Sequence, residues 1–420
     1  MKRLKLIFTL TAIWGLGIDA HQASAQSLDE LIDKAYRNNP GLAASRKIVE
    51  AEESLVSSKA TLDDPMIGVN TLDRNVRTQY GTITQKVRFP VKYYLQGKAQ
   101  SSKADSRQAH VEMEKLGVRQ AVASLYYSIY SAQKIIQLTK ANMQAVKEFA
   151  RVAEKKYAAG KSTQGDSMKA HFELTQLELD LIRLNQEEEA LQDELRAVVN
   201  DTNLAKLDLY KKELSVPDFQ EHKISDSLSD LNSDLRNNSP KLKKELHLLK
   251  AAETKSALSK WEFAPDFQFQ YQQRIAGDPA DSRIYSVGIT IPLWFWKKGS
   301  EASAASSLRI AQEYRVTNTS QKLIAKVKDL KGKAKSGAKT LKIYKTSLIP
   351  QAQGAFNSTR AAYRANKTSF LDLLDSERSL YRVKTGFYQS LKVYVKNITQ
   401  LESQLGFTVS NLEKNGEVSK

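Results

Sequence analysis

The sequence predicts a largely helical protein in which long antiparallel coiled-coil hairpins are combined with four short β-strands. Three observations support this prediction. Apolar residues recur at steps of three and four over very long stretches, four short segments instead alternate apolar and polar residues, and both features occur twice in the same order along the 420 residues. Steps of three and four are typical of coiled-coil helices, whereas a period of two is typical of strands.

The first 25 residues have the pattern of a cleaved secretory signal. MKRLK is followed by the apolar run Leu6 to Ile18, and then by the small residues Ala23, Ser24 and Ala25 that signal peptidase requires. The apolar run is too short to span a bilayer as a helix. We therefore expect residues 1–25 to be removed and the mature chain to be exported.

The two halves of the mature chain carry matching sequence elements. LIDKAYRNNPGL at 31–42 is matched by LNSDLRNNSPKL at 231–242, and YAAGKSTQGD at 157–166 is matched by YRANKTSFLD at 363–372. Such self-similarity predicts an internal duplication. The expected divisions are a signal peptide at 1–25, a first repeat at 26–200, an inter-repeat segment at 201–229, a second repeat at 230–408 and a polar tail at 409–420.

Each half begins with a predicted helix, which is followed by two segments with the period of a strand. In the second half, PDFQFQYQQR at 265–274 and IYSVGITIPLWFW at 284–296 alternate apolar residues with glutamine, serine, glycine or threonine. The first half has the weaker candidates MIGVNTL at 66–72 and GTITQKVRF at 81–89. Short polar links join the members of each pair, which predicts two β-hairpins.

Heptad seams predict that each half ends in an antiparallel pair of long helices. The seams run from Val122 to Tyr157, Leu174 to Val198, Ile324 to Leu348 and Leu380 to Leu405. Glu188 is the one polar interruption of the second seam. If the first helix begins near Gly97, it extends for about 95 Å at 1.5 Å per residue. The turns at Gly160 and Asn366 are the predicted tips of the two hairpins.

The composition argues against an enzyme. The chain has no cysteine, which excludes disulfides, thiolate metal sites, thiol nucleophiles and a lipid-anchored cysteine. Its five histidines are scattered and lack the i, i+4 spacing of a helical metal site. No nucleophile elbow, P-loop or dinucleotide motif is present. We expect no catalytic residue, no metal and no cofactor.

The chain is strongly basic, with a net charge of +17. Nine lysines and one aspartate lie between Ser320 and Lys345. A basic run can bind nucleic acid or acidic lipid, but it can also be a solvated helical face. Because the signal directs the chain out of the cytoplasm, we expect the solvated face and no nucleic-acid partner.

The strand hairpins are compatible with a membrane barrel or with a soluble sandwich. A barrel wall turns apolar residues to lipid and polar residues to water, whereas a sandwich packs its apolar face on a core. Four strands cannot close a barrel, and open edges are not tolerated in lipid, so insertion would require several chains. The cluster Trp294, Phe295 and Trp296, followed by Lys297 and Lys298, is typical of a membrane interface at a strand end.

Taken together, these elements resemble the TolC family of outer-membrane efflux proteins. The resemblance rests on the paired NNP and NSP elements, on Pro90 and Pro292 after the second and fourth strands, and on YRANKTSFLDLLD at 363–375. It covers nearly the whole mature chain. It implies a homotrimer with a 12-stranded β-barrel in the outer membrane, an α-barrel of helical hairpins across the periplasm, and a belt formed by the inter-repeat segment.

The resemblance also implies a function and a location. The protein would be the passive exit duct of a tripartite efflux or secretion system, would work with a periplasmic adaptor protein and an inner-membrane pump, and would contact outer-membrane lipid. The alternative is a soluble periplasmic adaptor or coiled-coil scaffold without channel activity. In two departures from the family, Asn366 replaces the usual glycine and the mature start has no acylated cysteine, so anchoring would rest on the barrel alone. The transported substrate is not specified.

Three carboxylates near the tips, Asp166, Asp372 and Asp375, form the predicted gate. The family's tunnel is constricted at this place, and a trimer would bring six carboxylates from Asp372 and Asp375 to its mouth. They would repel anions and attract cations, and contacts with Lys161 and Lys367 would hold the mouth partly shut.

Helix capping is the alternative role for two of these carboxylates. Ser369 with Asp372, and Thr163 with Asp166, have the spacing of a capping box, in which two side chains satisfy free amides at a helix start. Asp375 is not needed for a cap.

The surface of both tips is the predicted docking site for the adaptor. It comprises Gly160, Lys161, Ser162, Thr163, Asn366, Lys367, Thr368 and Ser369. The alternative is that these small and polar residues are simply solvated turns.

Overall fold

A computed structural model describes residues 27–71, 78–277 and 282–412. The expected signal peptide, most of the polar tail and part of each link between paired strands lie outside the described residues. The first half contains α1 (Leu28–Asn38), α2 (Pro40–Ala60), β1 (Met66–Thr71), β2 (Gln79–Val87), α3 (Pro90–Ala158) and α4 (Gln164–Val199). The second half contains α5 (Leu228–Asn238), α6 (Pro240–Trp261), β3 (Asp266–Ala276), β4 (Arg283–Thr290), α7 (Phe295–Ile343), α8 (Ile349–Arg364) and α9 (Phe370–Leu405).

A proline divides the first helix of each half, where the sequence predicted one continuous helix. Pro40 is the first residue of α2 and Pro240 is the first residue of α6. Proline is tolerated at this position because its missing N–H would have no partner there, but it holds the preceding residue extended. Asn39 therefore ends α1 and caps α2, since its side-chain oxygen accepts a hydrogen bond of 3.2 Å from the Leu42 amide.

The descending helix of the first half is longer than predicted. α3 contains 69 residues, which corresponds to about 104 Å at 1.5 Å per residue. It begins at Pro90 and not near Gly97, because Pro90 starts a helix in the same way as Pro40. Most of the predicted seam is buried from Val122 onward, whereas its last residue, Tyr157, is exposed.

In the second half, the descending arm consists of α7 and α8 joined by the π-helical segment Tyr344–Leu348. Pro350 follows this segment and supplies no backbone N–H, so the regular hydrogen-bond pattern cannot continue through it. The ring of Tyr344 packs against α9 at Gly386, where a Cβ would lie 2.8 Å from the tyrosine hydroxyl. The glycine thus allows this close approach.

The strands form one antiparallel sheet in the order β1-β2-β3-β4, so the two predicted hairpins lie side by side. One face is mostly apolar, as in the row Ile67, Ile83, Tyr271 and Tyr285. The opposite face is mostly polar, as in the row Met66, Thr84, Gln270 and Ser286. The predicted alternation is therefore present across all four strands. Within the described residues, β1 and β4 each pair with a single neighbour.

The helices form a layer that is four elements wide. Next to the sheet, α2, α3, α6 and α7 lie side by side, and toward the tips the order is α4, α3, α9 and then α7 with α8. First-half helices therefore lie at one edge of the layer and second-half helices at the other. β1 and β4 lie at the corresponding edges of the sheet.

Two main apolar cores fill the helical layer. The upper core joins helices of both halves around buried residues such as Ile129 and Ile398. The lower core lies near the tips and includes Val146 and Leu373. Both cores join α3 to α9, so the two hairpins pack against each other along most of their length.

The inter-repeat segment crosses one face of the helical layer. Its contacts include the hydrogen bonds from Gln133 Nε2 to the Leu207 carbonyl (2.6 Å) and from Tyr394 Oη to the Pro217 carbonyl (2.8 Å), and the ion pair of Lys331 Nζ with Asp226 Oδ1 (2.5 Å). Lys335 adds an ion pair of 2.8 Å with Glu221. The sequence predicted that the lysines between Ser320 and Lys345 form a solvated helical face. Two of them, Lys331 and Lys335, instead form ion pairs with the inter-repeat segment.

Candidate functional site at the hairpin tips

Each tip contains one residue in the left-handed conformation. The φ angle is +70° at Gly160 and +57° at Asn366. In both turns the following residue donates its amide to the carbonyl five positions earlier, at 2.8 Å in each case. This is the hydrogen bond of a glycine-type helix end. Asparagine tolerates the left-handed conformation better than most residues do, so Asn366 preserves the turn.

Asp372 forms the capping box that its spacing predicts. The Ser369 hydroxyl accepts a hydrogen bond of 3.1 Å from the Asp372 amide, and Asp372 Oδ2 accepts one of 3.1 Å from the Ser369 amide. The same oxygen accepts hydrogen bonds of 2.7 Å from the hydroxyls of Ser369 and Thr368. These bonds, the one from the Ser369 side chain above all, hold the pKa of Asp372 below its usual value. Asp372 is therefore ionised and fixed at the start of α9.

The equivalent capping box is not formed at the first tip. Thr163 precedes α4, but its side chain makes no capping hydrogen bond. Asp166 instead accepts a hydrogen bond of 2.7 Å from the Ser162 hydroxyl. The capping prediction is wrong here, because the Asp166 carboxylate accepts from the Ser162 hydroxyl and forms no reciprocal pair of hydrogen bonds with Thr163.

Asp375 lies one turn beyond Asp372 and takes no part in the cap. Its side chain is 62% exposed, and one carboxylate oxygen lies 3.6 Å from the Arg378 guanidinium. Residues three positions apart lie on nearly the same face of a helix. The structure thus places two of the predicted gate carboxylates on one face of α9, while Asp166 lies at the start of α4 on the other hairpin.

Lys156 joins the two tips, a role that no sequence pattern predicted. Its Nζ donates hydrogen bonds to Asn366 Oδ1 at 2.9 Å and to the Tyr363 carbonyl at 3.1 Å. It also lies 3.8 Å from the centre of the Tyr363 ring, whose face attracts a cation. Lys161 and Lys367, the lysines expected to contact the gate, form no ion pair with any residue that the structure describes. A lysine above the turn makes the contact, and the lysines within the turns do not.

The predicted docking residues lie at the surface of the two turns. Gly160, Lys161, Thr163, Asn366, Lys367 and Ser369 are exposed. Ser162 and Thr368 are half-buried because their hydroxyls donate to Asp166 and Asp372.

Trp294, Phe295 and Trp296 lie at the start of α7, which corrects the prediction that they lie at a strand end. β4 ends at Thr290, and Pro292 separates it from the helix. Proline cannot donate to a strand ladder, which explains why the pairing stops before it. All three aromatic side chains are exposed. They form an uncovered patch where the sheet meets the helices.

A buried group of charged residues above the tips was also missed. Nε and Nη2 of Arg378 both donate to Glu173 Oε2, and the Nε distance is 2.9 Å. The neighbouring Glu377 is only 5% exposed. Burial, with the Glu173 carboxylate as a second cause, raises the pKa of Glu377 to about 8. Glu377 is therefore largely protonated at neutral pH.

The part of the chain that the structure describes has neither a metal-binding cluster nor a helix suited to span a membrane. There, no group of three or more His, Cys, Asp or Glu side chains is arranged to hold a metal ion. Among the same residues, no helix combines the length and the apolar character needed to cross a bilayer.

Comparison with known proteins gives matches over the second half and over the whole chain. Residues 231–406 match the family model for outer membrane efflux proteins. The cobalt-zinc-cadmium resistance protein CzcC of Cupriavidus metallidurans is 22% identical over 393 residues, which cover 91% of each chain.

Two solved structures illustrate the similarity in fold. A membrane protein from Pseudomonas aeruginosa gives a TM-score of 0.78 at 16% identity, over 90% of this chain and 93% of its own. The CmeC outer membrane channel of Campylobacter jejuni gives a TM-score of 0.75 at 14% identity, over 96% of this chain and 94% of its own.

The element order, the paired helical hairpins and the four-stranded sheet agree with these matches. The resemblance to the TolC family is confirmed by the match to the outer membrane efflux protein model and by the similarity in fold. Residues 231–406 therefore match the outer membrane efflux protein family, and the chain as a whole has a fold similar to that of outer-membrane channels of known structure.

Proposed function

We propose that this chain forms a homotrimeric outer-membrane channel that serves as the passive exit duct of a tripartite efflux or secretion system. Three chains would contribute four strands each to a 12-stranded barrel. The helices would extend from this barrel into the periplasm as a tunnel. A periplasmic adaptor would dock on the tips, and an inner-membrane pump would supply cargo and energy.

The uncovered apolar face of the sheet carries this proposal. Ile67, Val69, Val287 and Ile289 are between 59% and 78% exposed. In water such a face requires a cover, whereas lipid supplies one. In lipid the edges of the sheet must also be paired. Pairing β4 of one chain with β1 of the next satisfies both edges and closes a barrel.

The helical layer has edges that fit the same assembly. α4 lies at one edge and carries an exposed apolar stripe formed by Met168, Phe172, Leu179 and Ile182. Contact with α7 and α8 of a neighbouring chain would cover this stripe. The sheet and the helical layer both have first-half elements at one edge and second-half elements at the other. A single rotation between chains can therefore close both rings, as in a head-to-tail oligomer.

The gate is proposed to be an acidic ring made by Asp372 and Asp375, with Asp166 on the adjacent tip. Asp372 can serve in the cap and in the ring, because its described hydrogen bonds all use Oδ2. Asp375 is exposed and needs no rearrangement to face the tunnel mouth. The cap fixes the position of one negative charge in each chain, and a ring of fixed charges selects cations.

The remaining surfaces have roles in the same assembly. The exposed residues of both tips would receive the adaptor. The aromatic patch Trp294, Phe295 and Trp296 would lie at the inner interface of the outer membrane, since such side chains favour the boundary between lipid and water. Contact between α7 and the bilayer surface would then set the depth of the barrel.

Membrane fractionation and bilayer recording test this function against the scaffold alternative. The channel predicts a heat-resistant oligomer in the outer-membrane fraction and stepwise current in a planar bilayer. A monomer in the soluble periplasm that passes no current would instead support the scaffold.

Selectivity tests the gate within the proposed channel. The double variant Asp372→Asn, Asp375→Asn removes both charges and keeps an oxygen acceptor for the cap. It should lose cation preference while the assembly remains intact. Asp193→Asn, at a 65% exposed side chain far along α4, is the matched control. Unchanged selectivity in the double variant would rule out the acidic gate.

A further inference from the structure

A level of polar side chains, here called the polar layer, interrupts the lower core, whose apolar packing continues on both sides of it, through Leu374 toward the tips and through Leu177 and Leu380 away from them. It is formed by Thr139 and Asn142 of α3, Glu173 of α4, and Glu377, Arg378 and Tyr381 of α9. None of these residues belongs to the proposed gate or to the docking surface. The polar layer is therefore a separate feature of the hairpin pair.

The polar layer connects the first hairpin to the second. The Thr139 and Tyr381 hydroxyls are 2.8 Å apart, which joins α3 to α9. Arg378 joins α9 to α4 through its two hydrogen bonds to Glu173. Any separation of α9 from the first hairpin must break these contacts.

Glu377 occupies this layer without a cation of its own. Glu173 faces it from α4, Arg378 and Lys384 are the nearby cations on α9, and Asn142 contacts it from α3. The Arg378 guanidinium is already bound to Glu173. An ionised carboxylate at this buried place would be poorly compensated, and a second carboxylate lies beside it.

The Asn142 amide can accommodate either protonation state. A protonated carboxyl donates to the amide oxygen, whereas an ionised one accepts from the amide nitrogen after the amide turns over. The protonated state satisfies the contact without adding a second negative charge beside Glu173. The packed layer therefore favours neutral Glu377.

We propose that Glu377 is a proton-controlled lock between the two hairpins. When it is protonated, it packs in the polar layer and the hairpins stay together above the tips. When it ionises, repulsion from Glu173 and the need for water drive α9 away from the first hairpin and allow the tips to separate. This lock is independent of whether the assembly conducts ions.

The direction of the pH dependence follows from proton binding. Packing raises the pKa of Glu377 from 4.5 to about 8, so the packed state binds more protons than the separated state between these values. The ratio of separated to packed hairpins therefore increases with pH by up to about tenfold per unit in this window, and becomes constant above it. From pH 6 to pH 8 the ratio should rise by about 50-fold, because the increase already slows near the pKa of the packed state.

Distance measurement between the tips tests the lock. Because the chain has no cysteine, cysteines introduced at Lys161 and Lys367 can be spin-labelled selectively. The full-length protein is mixed with an excess of unlabelled chains, so that each assembly contains one labelled chain, and distances are recorded by pulsed electron resonance from pH 6 to pH 9. We expect a single short distance at pH 6 and a growing longer population toward pH 9.

Two variants separate Glu377 from other titrating groups. Glu377→Gln should keep the short distance at every pH, while Glu148→Gln, the same change at a 60% exposed side chain on α3, should behave as the unmodified protein. A pH response that persists in Glu377→Gln would assign it to another group and would overturn the proposal.

The labelled protein with Glu377 unchanged provides a test that does not depend on any substitution in the polar layer. A distance distribution that stays constant from pH 6 to pH 9 would also overturn the lock. Recording current from the same samples separates this result from the channel proposal. An assembly that passes no current at any pH would refute the channel, and the distance measurement would still decide the lock.

Discussion

Replacing Lys156 by methionine is expected to weaken the contact between the tips by about 1–2 kcal/mol in each chain. Nζ makes hydrogen bonds of 2.9 Å to Asn366 and 3.1 Å to Tyr363, and lies 3.8 Å from the Tyr363 ring centre. A charged hydrogen bond contributes about 1.5–3 kcal/mol, and an exposed cation–π contact about 0.5–1 kcal/mol. Asn366 is exposed, so solvent screening reduces these contributions well below their full sum, to about 1–2 kcal/mol in total. Methionine retains the aliphatic length that packs on the ring.

Trypsin cleavage after Arg364 measures this loosening. Arg364 is the last residue of α8, between the two partners of Lys156, so the chain must leave the turn before it can be cut. When opening and closing are fast, the cleavage rate follows the open population. A loss of 1–2 kcal/mol should then give roughly 5- to 30-fold faster cleavage. Lys155→Met, at the exposed neighbouring lysine, is the control. Equal rates in Lys156→Met and the unmodified protein would refute the reasoning.

Three further substitutions and one control test the supports of the fold. Ser369→Ala removes the cap of α9 and should cost about 1 kcal/mol, measured as roughly fivefold faster hydrogen exchange in the first turn; Thr163→Ala removes no capping bond and should leave α4 unchanged. Arg119→Met leaves the Glu402 carboxylate, which is 1% exposed, without the cation that donates to it at 2.6 Å. It should lower the free energy of unfolding by about 3–5 kcal/mol, and an unchanged denaturant midpoint would contradict this. Gly406→Ala places a methyl group 2.2 Å from a backbone oxygen of α5, at a φ of +87°. A loss of about 2 kcal/mol or more is expected in the same experiment, and a smaller loss would mean that α5 yields easily.

The long-range order of the fold was predictable because it is periodic. The seams and the alternating segments located both hairpins and all four strands to within several residues. The errors occur at prolines. The predicted helix start near Gly97 lies at Pro90, and the predicted strand through Pro292 ends at Thr290. Periodicity shows where an element is, but the missing N–H of proline determines where it begins or stops.

The tips were less predictable because their contacts depend on side-chain geometry. The same S/T-x-x-D spacing gave a capping box at Ser369 and none at Thr163, where the adjacent Ser162 binds the carboxylate. Lys156 could not be identified, because its partners lie 207 and 210 positions away and no pattern in the sequence connects them. Spacing limits which partners are possible, and packing selects among them.

Polar residues at seam positions carry information that apolar periodicity does not. Glu188 interrupts its seam, is buried, and accepts a 2.9 Å hydrogen bond from Gln133, which also binds the inter-repeat segment. Extending the α9 seam three positions back from Leu380 reaches Glu377 in the same way. A buried acid is unfavourable unless it is compensated. At Glu188 the compensation is an ion pair of 2.5 Å with Lys206, which explains its role as an attachment point. At Glu377 the nearest guanidinium, that of Arg378, already binds Glu173. The buried Glu377 side chain therefore avoids an uncompensated charge by keeping its proton. A buried acid at a seam position therefore attaches the inter-repeat segment in the case of Glu188, whereas in the case of Glu377 it makes the packing of α9 sensitive to pH.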